Sequence, residues 1–337
     1  MGPFAEASQM RYAHTTGDVV VYVGDARPDW TVNAVPQGGY VLGLIIEACV
    51  QHQASTKLPD PLHVTAHYLK PTAIGPLEVH VRMLKSGQTL CNITAELIQN
   101  GTTKVTTQSV FGNMDPAAAP PSDIAMTLEP PSPLARVTPF RTHASSCTPG
   151  KPWSRLNFKH HMTIAFDPSI AERHDQLTAA GIGEGGTEQG LWASFAHPSD
   201  KLNPSALAFF ADLGPNKLAS SMLPNKSRAW FPTIVLSLEF RAPLPREGGR
   251  LSTRTVGAIM TSRFMDAPQG RHDIRVELWS APASAEIGDG KEAKEGWREQ
   301  QRCLLVAHQM ALVMPIEVNL RNAQRSAGPG PTPNSKL

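Results

Sequence analysis

The residue groupings in this 337-residue chain that could do chemistry differ in how well their spacing supports it. His160-His161 and the pair His63/His67 offer imidazoles, yet neither has a third ligand at a spacing known for zinc, so no metal is expected. Gly181-Ile182-Gly183-Glu184-Gly185-Gly186 fits a dinucleotide fingerprint as a string. It follows a charged stretch instead of an apolar strand and opens no clear helix, so it is expected to be a loop, and no cofactor is expected. No Gly-x-Ser-x-Gly occurs, which argues against the nucleophile elbow of an α/β-hydrolase. More promising are Gln108 and Gln309, each in a strand-like run (Val105-Thr-Thr-Gln108 and Val306-Ala-His-Gln309), and the pair Gly38-Gly39 ahead of a long apolar stretch. An amide donates and accepts at once. Two glycines at a helix start either make a tight turn or let a carbonyl approach the helix N–H groups.

The elements that must position these residues occur twice. Pro36-Gln37-Gly38-Gly39-Tyr40, Pro61 to Pro71, Gly75-Pro-Leu and Gln108 are answered by Asn203-Pro204, Pro232 to Pro243, Gly249-Arg-Leu and Gln309. The offset widens along the pair, so the second copy has taken insertions, and tandem related modules are the simplest account. In the first module residues 39–53 predict a helix apolar on nearly every side, which must be wrapped by other structure. Strands are expected at 19–23, 62–69, 77–85, 90–99 and 102–111. Leu77, Val79, Val81 and Met83 alternate with Glu78, His80 and Arg82 at the period of a half-buried strand. In the second module a strand is expected at 191–196, a helix from Pro204 to about Ser220, and strands at 233–241, 251–259, 274–279 and 303–313. The resulting organisation is a first module at 17–114, a Pro-rich linker at 115–150, a second module at 151–318 with an insertion at 281–301, and a flexible tail at 319–337. The fold class is α+β, each module a long helix against a curved antiparallel sheet.

Composition excludes several functions. A hydrophobic share of 41% suffices for two cores. A net charge of +2, with 31 basic against 29 acidic residues, lacks the footprint of a nucleic-acid binder. The apolar stretch near Val41 to Val50 is interrupted by Glu47 and too short to span a bilayer, and the first residues do not resemble a signal peptide. Four widely spaced cysteines form no Cys-x-x-Cys pair and are expected as buried thiols of a reducing compartment. The chain ends Ser335-Lys336-Leu337 on a polar Pro/Gly-rich tether. That tripeptide matches the address read by the peroxisomal import receptor, so a peroxisomal matrix location is expected.

In order and spacing the chain resembles the acyl-CoA thioesterase II-like, double-hotdog family. The first half carries Trp30, Gln37-Gly-Gly-Tyr40, Asp60-Pro-Leu-His-Val-Thr-Ala-His-Tyr-Leu-Lys-Pro71 and Gly75-Pro-Leu-Glu-Val. The second carries Gly190-Leu-Trp192, Ala208-Phe-Phe-Ala-Asp212, Pro232-Thr233-Ile-Val-Leu-Ser-Leu-Glu-Phe240 and Val306-Ala-His-Gln-Met-Ala-Leu-Val313. The resemblance covers most of residues 17–114 and 188–314. It implies two tandem hotdog folds and hydrolysis of acyl-CoA between them, and is compatible with a homo-oligomer.

The same resemblance implies a catalytic set of Asp212 on the second helix, Thr233 opening the next strand and Gln309 on the last strand. In the first half Gln108 repeats Gln309 while Leu62 stands where Thr233 stands, so one competent site is expected per chain. A thioester needs only an oriented water, a base and oxyanion donors. Asp212 would serve as base, with Thr233 and Gln309 fixing the water and Gly38-Gly39 supplying backbone N–H groups to the oxyanion. Ser237, four residues after Thr233 and hence on the same strand face, is a supporting candidate. Three alternatives stand beside this. One is a hotdog enoyl-CoA hydratase, since Asp200-Lys-Leu-Asn203-Pro204 resembles that group's Asp-x-Asn-Pro-x-His motif, though one residue too long and without the His. Another is a thioesterase-like enzyme of secondary metabolism, and the third is a non-catalytic acyl-CoA binding module.

Overall fold

The computed structural model describes residues 1–118, 127–151, 153–214, 217–223, 229–283 and 286–326. Twelve strands form the main path of one antiparallel sheet. The first half supplies β1 (Arg11–Thr16), β2 (Val19–Ala26), β3 (Asp60–Tyr68), β4 (Gly75–Ser86), β5 (Cys91–Gln99) and β6 (Thr102–Gly112). The second supplies β7 (Met162–Phe166), β8 (Thr187–Phe195), β9 (Thr233–Phe240), β10 (Leu251–Ser262), β11 (Arg271–Pro282) and β12 (Cys303–Ala311). Their order is β1-β2-β4-β5-β6-β3-β9-β12-β11-β10-β8-β7, with a short strand Met265–Asp266 added beside β11. Read outward from the β3–β9 seam, the two halves have the same strand order. The duplication inferred from the repeats is therefore visible as a two-fold relation across that seam, where Ala66 faces Leu236 and Thr65 faces Ser237.

The helices are α1 (Pro3–Ala7), α2 (Gly38–Gln53), α3 (Pro168–Ala179), α4 (Pro204–Ala211), α5 (Lys217–Ser221) and α6 (Ile316–Ser326). The apolar sequence of α2 buries nearly every residue from Gly39 to Cys49, because β2 to β5 lie on one side and α4 on another. In β4, Leu77, Val79 and Val81 are buried while Glu78 and Arg82 are exposed, as the alternation predicts. The hairpin between β5 and β6 turns on Asn100 (φ 50°) and Gly101 (φ 66°), the paired positive φ that a two-residue turn of matching twist requires. One apolar core runs through both halves. Trp30 and Phe4 of the first contact Phe158, Phe195 and Phe209 of the second.

Three boundaries differ from expectation. The linker expected over 115–150 belongs in its later part to the second half, where Phe140, Ala144 and Cys147 pack with Trp192, Ile259 and Trp279 on the outer face of the sheet. Gly257 makes room, since a Cβ there would lie 2.4 Å from the Phe140 ring, and the Asp167 carboxylate accepts the Arg141 and Thr142 N–H groups. The helix expected to reach about Ser220 ends at Ala211. The tail expected from 319 is helical to Ser326 as α6, with Asn319 fully buried and accepting the Ala34 N–H at 3.4 Å. Ser335, Lys336 and Leu337 lie outside the described residues. No helix among the described residues is long and apolar enough to cross a membrane.

Candidate active site

The early end of α4 creates the site. Asp212 is the residue that caps the C-terminus of α4 (φ −108°), and antiparallel packing sets it against the N-terminus of α2. The fit requires glycine. A Cβ on Gly39 would sit 2.2 Å from the Ala208 carbonyl oxygen, and one on Gly38 would sit 2.9 Å from Asp212 Oδ2 and 3.4 Å from Thr233 Oγ1. Through this close approach the Gly39 N–H donates to Asp212 Oδ2 at 2.8 Å.

The other oxygen of the carboxylate meets the second half's strands. Gln309 Nε2 on β12 donates to Asp212 Oδ1 at 2.8 Å, and Thr233 Oγ1 at the start of β9 donates to it at 3.4 Å. Gln309 Nε2 also bonds to Thr233 Oγ1. The structure thus brings together Asp212, Thr233, Gln309, Gly38 and Gly39. Burial pushes the Asp212 carboxyl up to about 6, against the opposing pull of the Gly39, Gln309, Thr233 and Gly38 donors. Its position between two helix ends has the same two-sided effect: the C-terminal end of α4 disfavours its charge and the N-terminal end of α2 favours it.

Two further residues belong to the site and drew no assignment from sequence. Gln37 is almost fully buried; its Oε1 accepts the Tyr40 N–H at 2.5 Å and caps α2. Its Nε2 donates to the carbonyls of Asp212 at 2.8 Å and Phe209 at 3.2 Å, so one side chain closes the start of α2 and the end of α4. Tyr68 donates its hydroxyl to the Gly38 carbonyl at 2.7 Å. Burial, then the Asp212 charge, hold that hydroxyl well above the usual phenol range. Strand parity was the available signal, because Tyr68 shares a face with the inward Val64 and Ala66.

Other expectations need correcting. Ser237 is not beside Thr233: a bulge between Thr233 and Val235 breaks the alternation. Ser237 points to the opposite face, bonded to His63 Nε2 at 3.0 Å and Thr65 Oγ1 at 3.1 Å. Gln108 is not the counterpart of Gln309 either. Gln108 is exposed opposite Thr65, whereas Gln309 is 8% exposed opposite the fully buried Leu236. Matching the buried positions puts Leu236 at the place of Val64 and Gln309 at the place of Ser109, so Pro61, and not Leu62, stands where Thr233 does. A one-residue phase difference inverts the face of every side chain. Counted from the caps Gln37 and Asn203, Ile46 takes the place of Asp212. The first half therefore holds Ile46, Pro61 and Ser109 where the second holds carboxylate, hydroxyl and amide.

The Gly39 N–H, expected to face an oxyanion, is engaged by the carboxylate. The hydratase-like string is structural: Asp200 accepts the N–H groups of Phe4 and Ala5, and Asn203 caps α4. Gly181 to Gly186 form a loop after α3. Among the described residues no group of three or more His, Cys, Asp or Glu could hold a metal ion.

The carboxylate opens onto a cavity of 340 Å³ between the halves, walled by apolar side chains that include Val32, Val35, Trp153, Trp230, Phe231 and Ile274. Such a cavity admits a small acyl group and a thioester while leaving few polar groups to compete.

Comparison with known proteins accords with this geometry. Residues 26–112 match the model of an acyl-CoA thioesterase N-terminal domain and residues 141–282 that of an acyl-CoA thioesterase C-terminal domain. Among solved structures, the acyl-CoA thioesterase II TesB2 of Mycobacterium marinum superposes with a TM-score of 0.60 at 13% identity, covering 93% of this chain and 97% of that one. A conserved hot dog-fold protein of unknown function from Alicyclobacillus acidocaldarius superposes with a TM-score of 0.62 at 14% identity, covering 93% and 98%. At these identities the superpositions establish the fold. No curated protein matches the chain in sequence. With both halves matched in order over more than half its length, the chain belongs to the acyl-CoA thioesterase family and is a double-hotdog thioester hydrolase.

Proposed function

We propose that the chain hydrolyses acyl-CoA to a free acid and CoA by direct attack of water, with Asp212 as general base. The observation that carries this is a half-buried carboxylate held from three directions by Gly39, Gln309 and Thr233 at an apolar cavity, with its pKa raised to about 6. A base needs to be ionised yet basic at working pH, and a carboxylate near 6 meets both conditions. Thr233 and Gln309 orient a water whose proton passes to Asp212 as its oxygen bonds the acyl carbon. The C–S bond then breaks, and the proton is returned to the departing thiolate. The start of α2 lies beside the reacting carbonyl; with the Gly38 and Gly39 N–H groups both drawn to Asp212, the positive end of α2 is the stabiliser of the developing oxyanion.

The test is release of free thiol from a panel of short-, medium- and long-chain acyl-CoAs by wild type and Asp212→Asn. Loss of release on the order of a hundredfold or more in the variant is expected from removing a general base. No release by wild type across the panel would sink the hydrolase proposal, and equal release by the variant would sink the role of Asp212.

We further propose that Ser335-Lys336-Leu337 directs the protein to the peroxisomal matrix, on the strength of the tripeptide and its Pro/Gly-rich tether. Deleting the three residues from a C-terminally free, N-terminally tagged chain should disperse a punctate signal; an unchanged pattern would refute the address.

A further inference from the structure

The cavity is apolar within but carries cations that the hydrolytic chemistry does not use. Among its described lining residues Asp212 is the sole carboxylate, while Lys70 and Arg155 both contribute to the wall. They come from different halves of the chain. Lys70 follows β3 two residues beyond Tyr68, and Arg155 lies on the segment before β7, where its carbonyl accepts the Asn33 N–H at 2.8 Å. A third cation adjoins the first: the Lys104 carbonyl accepts the N–H groups of Leu69 at 2.8 Å and Lys70 at 3.1 Å. Burial first, and the Lys70 charge second, lower the Lys104 ammonium from its ordinary range. No carboxylate among the described residues forms an ion pair with Lys70, Lys104 or Arg155. Like charges gathered without a counter-charge at a cleft raise the local concentration of an anion.

We propose that Lys70, Lys104 and Arg155 form the subsite that holds the phosphates of the substrate's CoA headgroup while the thioester lies at Asp212. The proposal rests on the acyl-CoA reading above and deepens it. The acyl group and the thioester are uncharged, so the apolar cavity accounts for them without any cation. A phosphate-bearing carrier accounts for the cations, and Arg155 offers the planar fork suited to phosphate oxygens while the lysines act as point charges. CoA carries a diphosphate and a ribose phosphate, enough anionic groups to engage all three side chains. A phosphopantetheine arm on a carrier protein shares the chemistry but presents a single phosphate.

The experiment compares one acyl group on three thiols: CoA, 4′-phosphopantetheine and N-acetylcysteamine, which has no phosphate. In Lys70→Glu/Arg155→Glu, the ratio of kcat/KM for the CoA thioester to that for the N-acetylcysteamine thioester should fall about tenfold or more, mainly through KM, with a smaller fall for the phosphopantetheine ratio. A variant that fails to fold loses all three activities, so a second measurement uses wild type alone. Desulfo-CoA should inhibit hydrolysis of the N-acetylcysteamine thioester, and added salt should weaken that inhibition. Wild-type ratios near one, or inhibition by desulfo-CoA indifferent to salt, would overturn the subsite while leaving the hydrolase intact. A phosphopantetheine ratio falling as far as the CoA ratio would overturn CoA as the occupant. Absence of hydrolysis of all three by wild type would count against the catalytic proposal instead.

Discussion

Asp212 is a carboxylate kept in a costly place, where burial disfavours its charge. Burial raises its pKa to about 6 from 3.8, so the folded state binds this proton more tightly than the unfolded state does. Its contribution to stability is then present below about pH 4 and is lost as pH rises through about 6. Asp212→Asn removes the titration, so the stability of the variant minus that of wild type should grow by about 2–3 kcal/mol between about pH 4 and pH 7, measured by denaturant titration. Activity runs the other way, and kcat/KM of wild type should climb with pH to a plateau above about 6. A pH-independent stability difference would show that Asp212 ionises normally. The two glycines separate packing from chemistry at the same scale. Gly39→Ala drives a Cβ against backbone and should cost about 2 kcal/mol or more of stability. Gly38→Ala meets the tips of Asp212 and Thr233, and should lower kcat with a smaller loss of stability.

Among the elements, the decisive one is α4, which stops after eight residues so that Asp212 is its C-terminal cap residue. An apolar run cannot announce that end, and the expected helix runs on to about Ser220 because nothing local contradicts it. The neighbour decides: Gln37 donates to the Asp212 and Phe209 carbonyls left open when α4 ends. Gln37→Glu keeps the cap on α2 but loses both donations and sets a negative charge near Asp212. The acidic limb of the pH–rate profile should shift upward in this variant. A drop in activity with an unmoved limb would assign Gln37 a packing role only. Bulges illustrate the same limit. The i, i+4 rule places Ser237 with Thr233, and one extra residue in β9 sends it to the other face. Gln108→Ala should therefore leave hydrolysis unchanged, whereas Gln309→Ala, which removes a donor to Asp212, should lower kcat by on the order of a hundredfold.

At the scale of the molecule the halves are not separable units. Trp30 and Phe4 pack against aromatic side chains of the second half, β3 pairs with β9, and Asp212 of one half is held by Gly39 of the other. Residues 1–118 and 127–337 produced as separate chains should each be inactive and poorly folded, and co-expression should restore activity. Activity from the second chain alone would show that Gly39 is dispensable. The two-fold relation of the sheet offers an equivalent position in the first half, but Ile46, Pro61 and Ser109 occupy it and supply no carboxylate.

Alternation, the fully apolar helix and the doubled order of proline, glycine and helix determined the tandem α+β architecture, since burial imposes periods of two and of nearly four on any chain that folds this way. The resemblance added the types of Asp212, Thr233 and Gln309. The pairing of copies remained ambiguous by one residue, because a sequence alignment of Gln108 with Gln309 carries no information about which face a strand turns inward. Only the tertiary structure decided where α4 ends, which strand positions face the core, that Gly39 donates to Asp212, and that Lys70 and Arg155 line one cavity. Each of those depends on contacts between residues far apart in the chain, whose geometry is set by packing and not by local spacing.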